Sequence, residues 1–178
     1  AINVELLVTD QAGNTTLCTS NLTIVDEAAP QVICVFQTVD LNQTGSSTLQ
    51  ASSFDNGSSM DACDGRNITF SFVDAFGADL GTTLVMDCDS VGVRTVYIAA
   101  KDQSGNIGYC QTTVLVNDNL GPQISAPANI LSQDCSESVD PTNTGLATAI
   151  DNCDGAVSVT FTDQTMPGGS RNCRTIRR

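Results

Sequence analysis

Histidine and tryptophan are absent from this chain, and aromatic residues make up only 4% of its 178 positions. Without histidine the usual triads and most general bases are gone. Without tryptophan, a glycosidase cleft of paired carboxylates lacks its aromatic platforms. No GxSxG turn, phosphate-binding loop or supported carboxylate pair occurs, so the chain is not expected to be an enzyme. Basic residues are scarce too: seven Lys and Arg stand against 20 Asp and Glu, a net charge of −13. A field of that sign repels phosphate backbones and anionic headgroups, so nucleic acid and membrane surfaces are poor partners and cations the natural counterpart. No apolar run approaches a membrane span, so no membrane insertion is expected, and no signal peptide opens the chain, which reads as processed, excerpted or both.

What is present points to strands. Thr, Ser, Val, Asn, Asp and Gly dominate, a composition of strands and turns rather than helices. Eight cysteines contain no CxxC pair and are spread along the chain at positions 18, 34, 63, 88, 110, 135, 153 and 173. That spacing suits a disulfide framework in an oxidising, extracellular setting better than a zinc site.

The chain repeats itself. "TDQAGNTTLC" (9–18) returns as "KDQSGNIGYC" (101–110), and the pairs Asp10/Asp102, Cys18/Cys110, Asp26/Asp118 and Pro30/Pro122 are each 92 residues apart. Further on, "SSFDNGSSMDACDG" (52–65) answers "ATAIDNCDG" (147–155), with Cys63 and Cys153 separated by 90 residues. Cut at the turn-rich joints "VDEAAPQ" and "NDNLGPQ", residues 30–118 form one complete repeat of 89 residues. Residues 1–29 hold the closing strands of a repeat, and residues 119–178 the opening strands of another. Head and tail are therefore expected to be complementary parts of one domain.

Within the middle repeat, alternation of apolar and polar residues predicts strands over 31–39, 47–52, 67–73, 82–86, 94–102 and 108–118. Gly, Asn, Asp and Ser clusters punctuate them, and no convincing amphipathic helix intervenes. The fold class expected is all-β: tandem immunoglobulin-like sandwiches of antiparallel strands, stapled by disulfides.

The stretches "DNGSSMDACDG" and "MDCDSVGVRTVYIAAKDQSGNIGYCQTTVLVND" resemble the repeats of large secreted surface proteins of Bacteroidota, similar to hyalin-repeat (HYR-like) and other immunoglobulin-like adhesin modules. "ANILSQDCSESVDPTNTGLATAIDNCDGAVSVTFTD" resembles a second variant of that repeat. The resemblance spans essentially the whole chain, apart from the broken register at its ends. It implies export, tandem arrays, and roles in adhesion, gliding or extracellular filaments, and it implies no catalytic residues. Taken with such a sandwich, in which opening and closing strands can lie side by side, the repeat pairs Cys34 with Cys110 and Cys63 with Cys88. The equivalent pairs of the divided domain are Cys153 with Cys173 and Cys18 with Cys135.

The Cys18–Cys135 pair is expected between neighbouring units. The ends of a complete sandwich lie roughly 25–35 Å apart for strands of 8–10 residues, too far for the head to close on its own tail. A neighbour's head can instead fill the open edge, giving an end-to-end array of copies. The alternative is one long tandem polypeptide in which "RTIRR" runs covalently into "AINVELLVTD".

Asp10, Asp26, Asp102, Asp118 and Asn119 sit at domain ends, and "VNDNLGP" loosely resembles the calcium-binding linker of cadherin-like modules. The same residues also suit turns in which their side chains bond nearby backbone. Asp61, Asp64, Asp151 and Asp154, flanking Cys63 and Cys153, face the same two readings. Beyond calcium no cofactor is expected. Sequons at Asn14, Asn21, Asn42, Asn56 and Asn67 are glycosylation acceptors on a eukaryotic secretory route. On the bacterial reading, "DSV" at 89–91 resembles an O-glycosylation site with Ser90 as acceptor. The function expected is a structural repeat of an extracellular filament or adhesin stalk; the alternative is an adhesin module that binds a glycan or a protein.

Overall fold

The computed structural model describes residues 2–128, 138, 140–162, 164–167 and 174–177. The fold is all-β. The first strands are β1 (Ile2–Thr9), β2 (Thr15–Leu22), β3 (Gln37–Asp40), β4 (Ser46–Gln50) and β5 (Thr69–Val73). β6 (Asp79–Gly81), β7 (Thr83–Asp87), β8 (Gly92–Lys101) and β9 (Ile107–Asn117) follow. The later ones are β10 (Gln123–Ser125), β11 (Thr148–Asp151), β12 (Gly155–Val157), β13 (Gln164–Pro167) and β14 (Arg174–Arg177). One helical turn, α1 (Pro141–Thr144), starts on Pro141 with the Asp140 carboxylate accepting the Thr142 N–H. No described helix is long and apolar enough to cross a membrane. The longest sheet has the order β3-β9-β8-β5-β6. By contact the chain divides into two compact units, residues 1–35, 50–83 and 96–112, and residues 36–49, 84–95 and 113–178.

In the first unit β5 pairs antiparallel with β6 and with residues 97–101 of β8. The alternation of β8 explains its placement: Val96, Ile98 and Ala100 are buried, as period-two geometry requires of one strand face. Phe54, from a 3-10 turn after β4, meets Phe72 of β5 edge to face, with ring centroids 5.7 Å apart. Both rings are fully buried. Cys34 is bonded to Cys110.

The hairpin β1–β2 belongs to the same unit, in register from Ile2↔Leu22 to Thr9↔Thr15. Every residue of both strands is exposed. This contrasts with β8, whose sequence β1 matches: Leu6 is 56% exposed where its equivalent Ile98 is 0%.

In the second unit β3 runs parallel to β9, from Gln37↔Val114 to Asp40↔Asn117. Among its described residues, Leu41, Leu49, Met86, Val114, Val116 and Ala149 are the buried apolar ones. β10, β11 and β12 form an antiparallel sheet. Its register repeats that of the first unit, since Gln31↔Met60 corresponds to Gln123↔Ile150 and Asp61↔Gly65 to Asp151↔Gly155.

Two strand expectations are corrected. Residues 31–36 form no regular strand, their ladder pairing being limited to isolated bridges at Gln31 and Cys34. Their N–H groups go to single partners, Val35 to the Phe54 carbonyl and Ile33 to the Ser59 hydroxyl. β3, the part that is regular, pairs parallel rather than antiparallel.

Cysteine pairing differs as well. Cys88 is bonded to Cys153, with Cα atoms 5.3 Å apart, so the expected pairs Cys63–Cys88 and Cys153–Cys173 are replaced. The reason is placement: the turn after β11 brings Cys153 to the 3-10 turn that opens on Cys88, and the Cys88 sulfur lies 3.5 Å from the carbonyls of Gly45 and Asn152. Cys63 and Cys18 are free, exposed thiols. Cys135 and Cys173 lie outside the described residues. The two bridges point to an oxidising, non-cytoplasmic environment.

Candidate functional site

The site begins with four short turns built on aspartate. Asp10, between β1 and β2, accepts the N–H groups of Ala12 and Asn14 on Oδ1 at 2.9 and 2.8 Å, and the Asn14 amide on Oδ2 at 2.8 Å. Asp102, between β8 and β9, holds Asn106 in the same way, N–H on Oδ1 and side-chain amide on Oδ2, both at 2.8 Å. Asp61 accepts the N–H groups of Cys63 and Asp64 on Oδ1 at 2.7 and 3.0 Å. Asp151 does the same for Cys153 and Asp154 at 2.9 and 3.1 Å. These are side-chain-anchored turns, the geometry that Asp favours in "DxxGN" and "DxCDG".

In the first unit the turns converge. One carboxylate oxygen from each of Asp26, Asp61, Asp64 and Asp102 lies within 4.8 Å of the others, and the Cys63 sulfur is equally close to Asp26 and Asp61. Asp61 and Asp102 are buried, at 3% and 5% exposure. Gln103 donates its N–H to Asp64 Oδ2 at 2.8 Å, and the Asn106 amide donates to the Asp26 carbonyl at 3.1 Å. Oδ2 of Asp26 and Oδ2 of Asp61 are buried and have no hydrogen-bond partner. The N–H groups of Asp64 and Cys63 hold the Asp61 carboxyl below its ordinary pKa. The negative charge of Asp26 pushes the Cys63 thiol up, with desolvation adding to it. The cluster is hard, anionic and oxygen-rich, a donor set that could hold a cation.

Of the five calcium candidates read at the domain ends, Asp26 and Asp102 meet. Asp10 stays in its exposed hairpin turn. Asp118 accepts the Asn152 amide at 3.0 Å, and the Asn119 amide donates to Asp40 at 2.8 Å. Asp61 and Asp64 complete the cluster. Their signal was the recurrence of "DxCDG" 90 residues on, but nothing in local spacing joins them to positions 26 and 102. The sequon asparagines 14, 21, 42, 56 and 67 are all exposed, and the Ser90 hydroxyl donates to Asp87 at 2.8 Å.

No family model matches the chain, and no solved structure does. It is similar to an uncharacterized 81.3 kDa protein of Acholeplasma phage L2, 27% identical over 161 residues that cover 89% of this chain and 20% of that protein. The chain thus spans about a fifth of that relative's length.

Proposed function

We propose that this chain is a structural repeat unit of an extracellular filament or cell-surface adhesin stalk, with small β domains of the sandwich type following one another end to end. One observation carries the reading. The hairpin β1–β2 and the pair β8–β9 share their sequence and their Asp-anchored turn, yet Val96, Ile98 and Ala100 are core while Val4, Leu6 and Val8 are bare. A strand face patterned for a core needs a cover. The opening strands of a neighbouring repeat are its complement, supplied by exchange between chains or within one tandem polypeptide. The resemblance to exported adhesin repeats, the two bridges and the acidic, poorly aromatic composition support the same reading. The role is mechanical: stapled units in series resist proteolysis and hold other domains away from the cell.

Antibody labelling of intact producing cells, with and without external protease, tests the location; labelling abolished by protease is the expected result, and a signal seen only after lysis would refute it. Binding of the purified chain to glycan arrays separates stalk from adhesin module. No reproducible binding is expected.

A further inference from the structure

We propose that Asp26, Asp61, Asp64 and Asp102 bind one divalent cation of calcium's size, which fastens the segment at Asp26 to the turns at 61–65 and 102–106. Such a site does not depend on the filament reading. Asp61 is 3% exposed, its Oδ1 is fixed by two N–H groups, and its Oδ2 is buried in the cluster without a donor. Asp26 Oδ2 is likewise buried, with only the weak-donor thiol of Cys63 near that carboxylate. A buried carboxylate oxygen is ordinarily paired, and leaving one without a partner is costly. Here two residues with such an oxygen belong to a cluster of four carboxylates, one oxygen of each within 4.8 Å of the others. Mutual repulsion of four anions is relieved by a cation placed among them.

Four converging carboxylates suit calcium, since magnesium usually keeps several waters and is held by one or two carboxylates. Calcium–oxygen distances of 2.3–2.6 Å place ligands on opposite sides of the ion about 4.6–5.2 Å apart, whereas magnesium's 2.0–2.1 Å gives about 4.0–4.2 Å. The oxygens of the cluster all lie within 4.8 Å of one another, a bound that calcium coordination satisfies. Calcium takes six to eight oxygens, so backbone carbonyls or water would fill the places the four side chains leave. The hydrogen bonds already present orient the donors: Gln103 holds Asp64, and Asn106 holds Asp102 while also bonding the Asp26 carbonyl. Three segments distant in sequence would thereby be locked together. The neighbouring Cys63 thiol is a soft donor and is not required by a hard ion.

Calorimetric titration of the chelator-treated full chain with calcium, and separately with magnesium, tests the site. One saturable calcium site is expected, at least ~10-fold tighter than for magnesium, with a calcium-dependent rise in Tm. Asp61→Asn keeps the Oδ1 acceptor of the turn and removes the charge; it should weaken calcium binding at least ~10-fold, while the exposed control Asp89→Asn should not. Amide shifts on calcium addition to the unaltered chain give a readout that needs no variant, and they should centre on residues 26, 61–64 and 102–106. Absence of binding at millimolar calcium, tighter magnesium binding, equal affinity in Asp61→Asn, or shifts spread over the acidic surface would each overturn the proposal.

Discussion

Cys88 is bonded to Cys153, 65 residues further along the chain. The bridge joins a cysteine of one copy of the repeat to a cysteine of the next. Mapping of non-reduced peptides should therefore recover the links 34–110 and 88–153, with Cys63 alkylated before any reductant is added. A 63–88 link would contradict the structure. Cys88→Ser with Cys153→Ser should lower stability by about 3–5 kcal/mol on the chain-entropy account of a loop this long, measured by urea unfolding.

Ile98 and Leu6 occupy equivalent positions with opposite surroundings. Ile98→Ala should cost about 2–5 kcal/mol through lost burial and a cavity. Leu6→Ala in the isolated chain should change stability by less than about 0.5 kcal/mol, as exposed positions do. Paired denaturation curves at low protein concentration measure both.

The Asp10 turn is acid-sensitive. Bonds from the Asn14 side chain and from backbone N–H groups hold the Asp10 carboxyl below its ordinary value. A depressed folded pKa contributes stability that is fully present above the unfolded value and is lost as pH falls through the folded one. The turn should hold at neutral and mildly acid pH and loosen only below the usual carboxylate range. Amide exchange at Ala12 and Asn14 reads this directly, and Asp10→Asn should remove the pH dependence.

Gly108 is required by a close approach rather than by its backbone angles. A side chain there would run into the Pro30 carbonyl and the Val32 methyl. Gly108→Ala should destabilise by about 1–3 kcal/mol, the range for overpacked sites. Thermal unfolding of the single variant measures it.

Strands 94–102 and 108–118 were legible to within a residue or two, because alternation records which face is buried. The apolar run after Pro30 was misleading. Its pattern fits a strand, but the N–H groups of Gln31, Ile33 and Val35 find a hydroxyl and two scattered carbonyls instead of a ladder. The aspartate turns were legible as turns, since Asp10 and Asp102 bond only residues two to four places away. Their convergence was not, because Asp26, Asp61, Asp64 and Asp102 meet through tertiary contacts that no local spacing encodes. Cysteine partners were hidden for the same reason: the repeat ranks the cysteines, and only the path of the chain pairs Cys88 with Cys153.

On the proposed function, units complete one another through the β1–β2 hairpin. Sedimentation of the purified chain over a range of concentrations tests it most directly, with denaturing electrophoresis of the same samples with and without reductant. The account predicts a concentration-dependent series of multiples of 18.6 kDa, shifted toward the single unit by Leu6→Lys. In a purified single-length chain, bands above the unit that collapse on reduction and are lost in Cys18→Ser but kept in Cys63→Ser would support Cys18–Cys135 as the link. A lone 18.6 kDa species at every concentration, unchanged by Leu6→Lys, would contradict it.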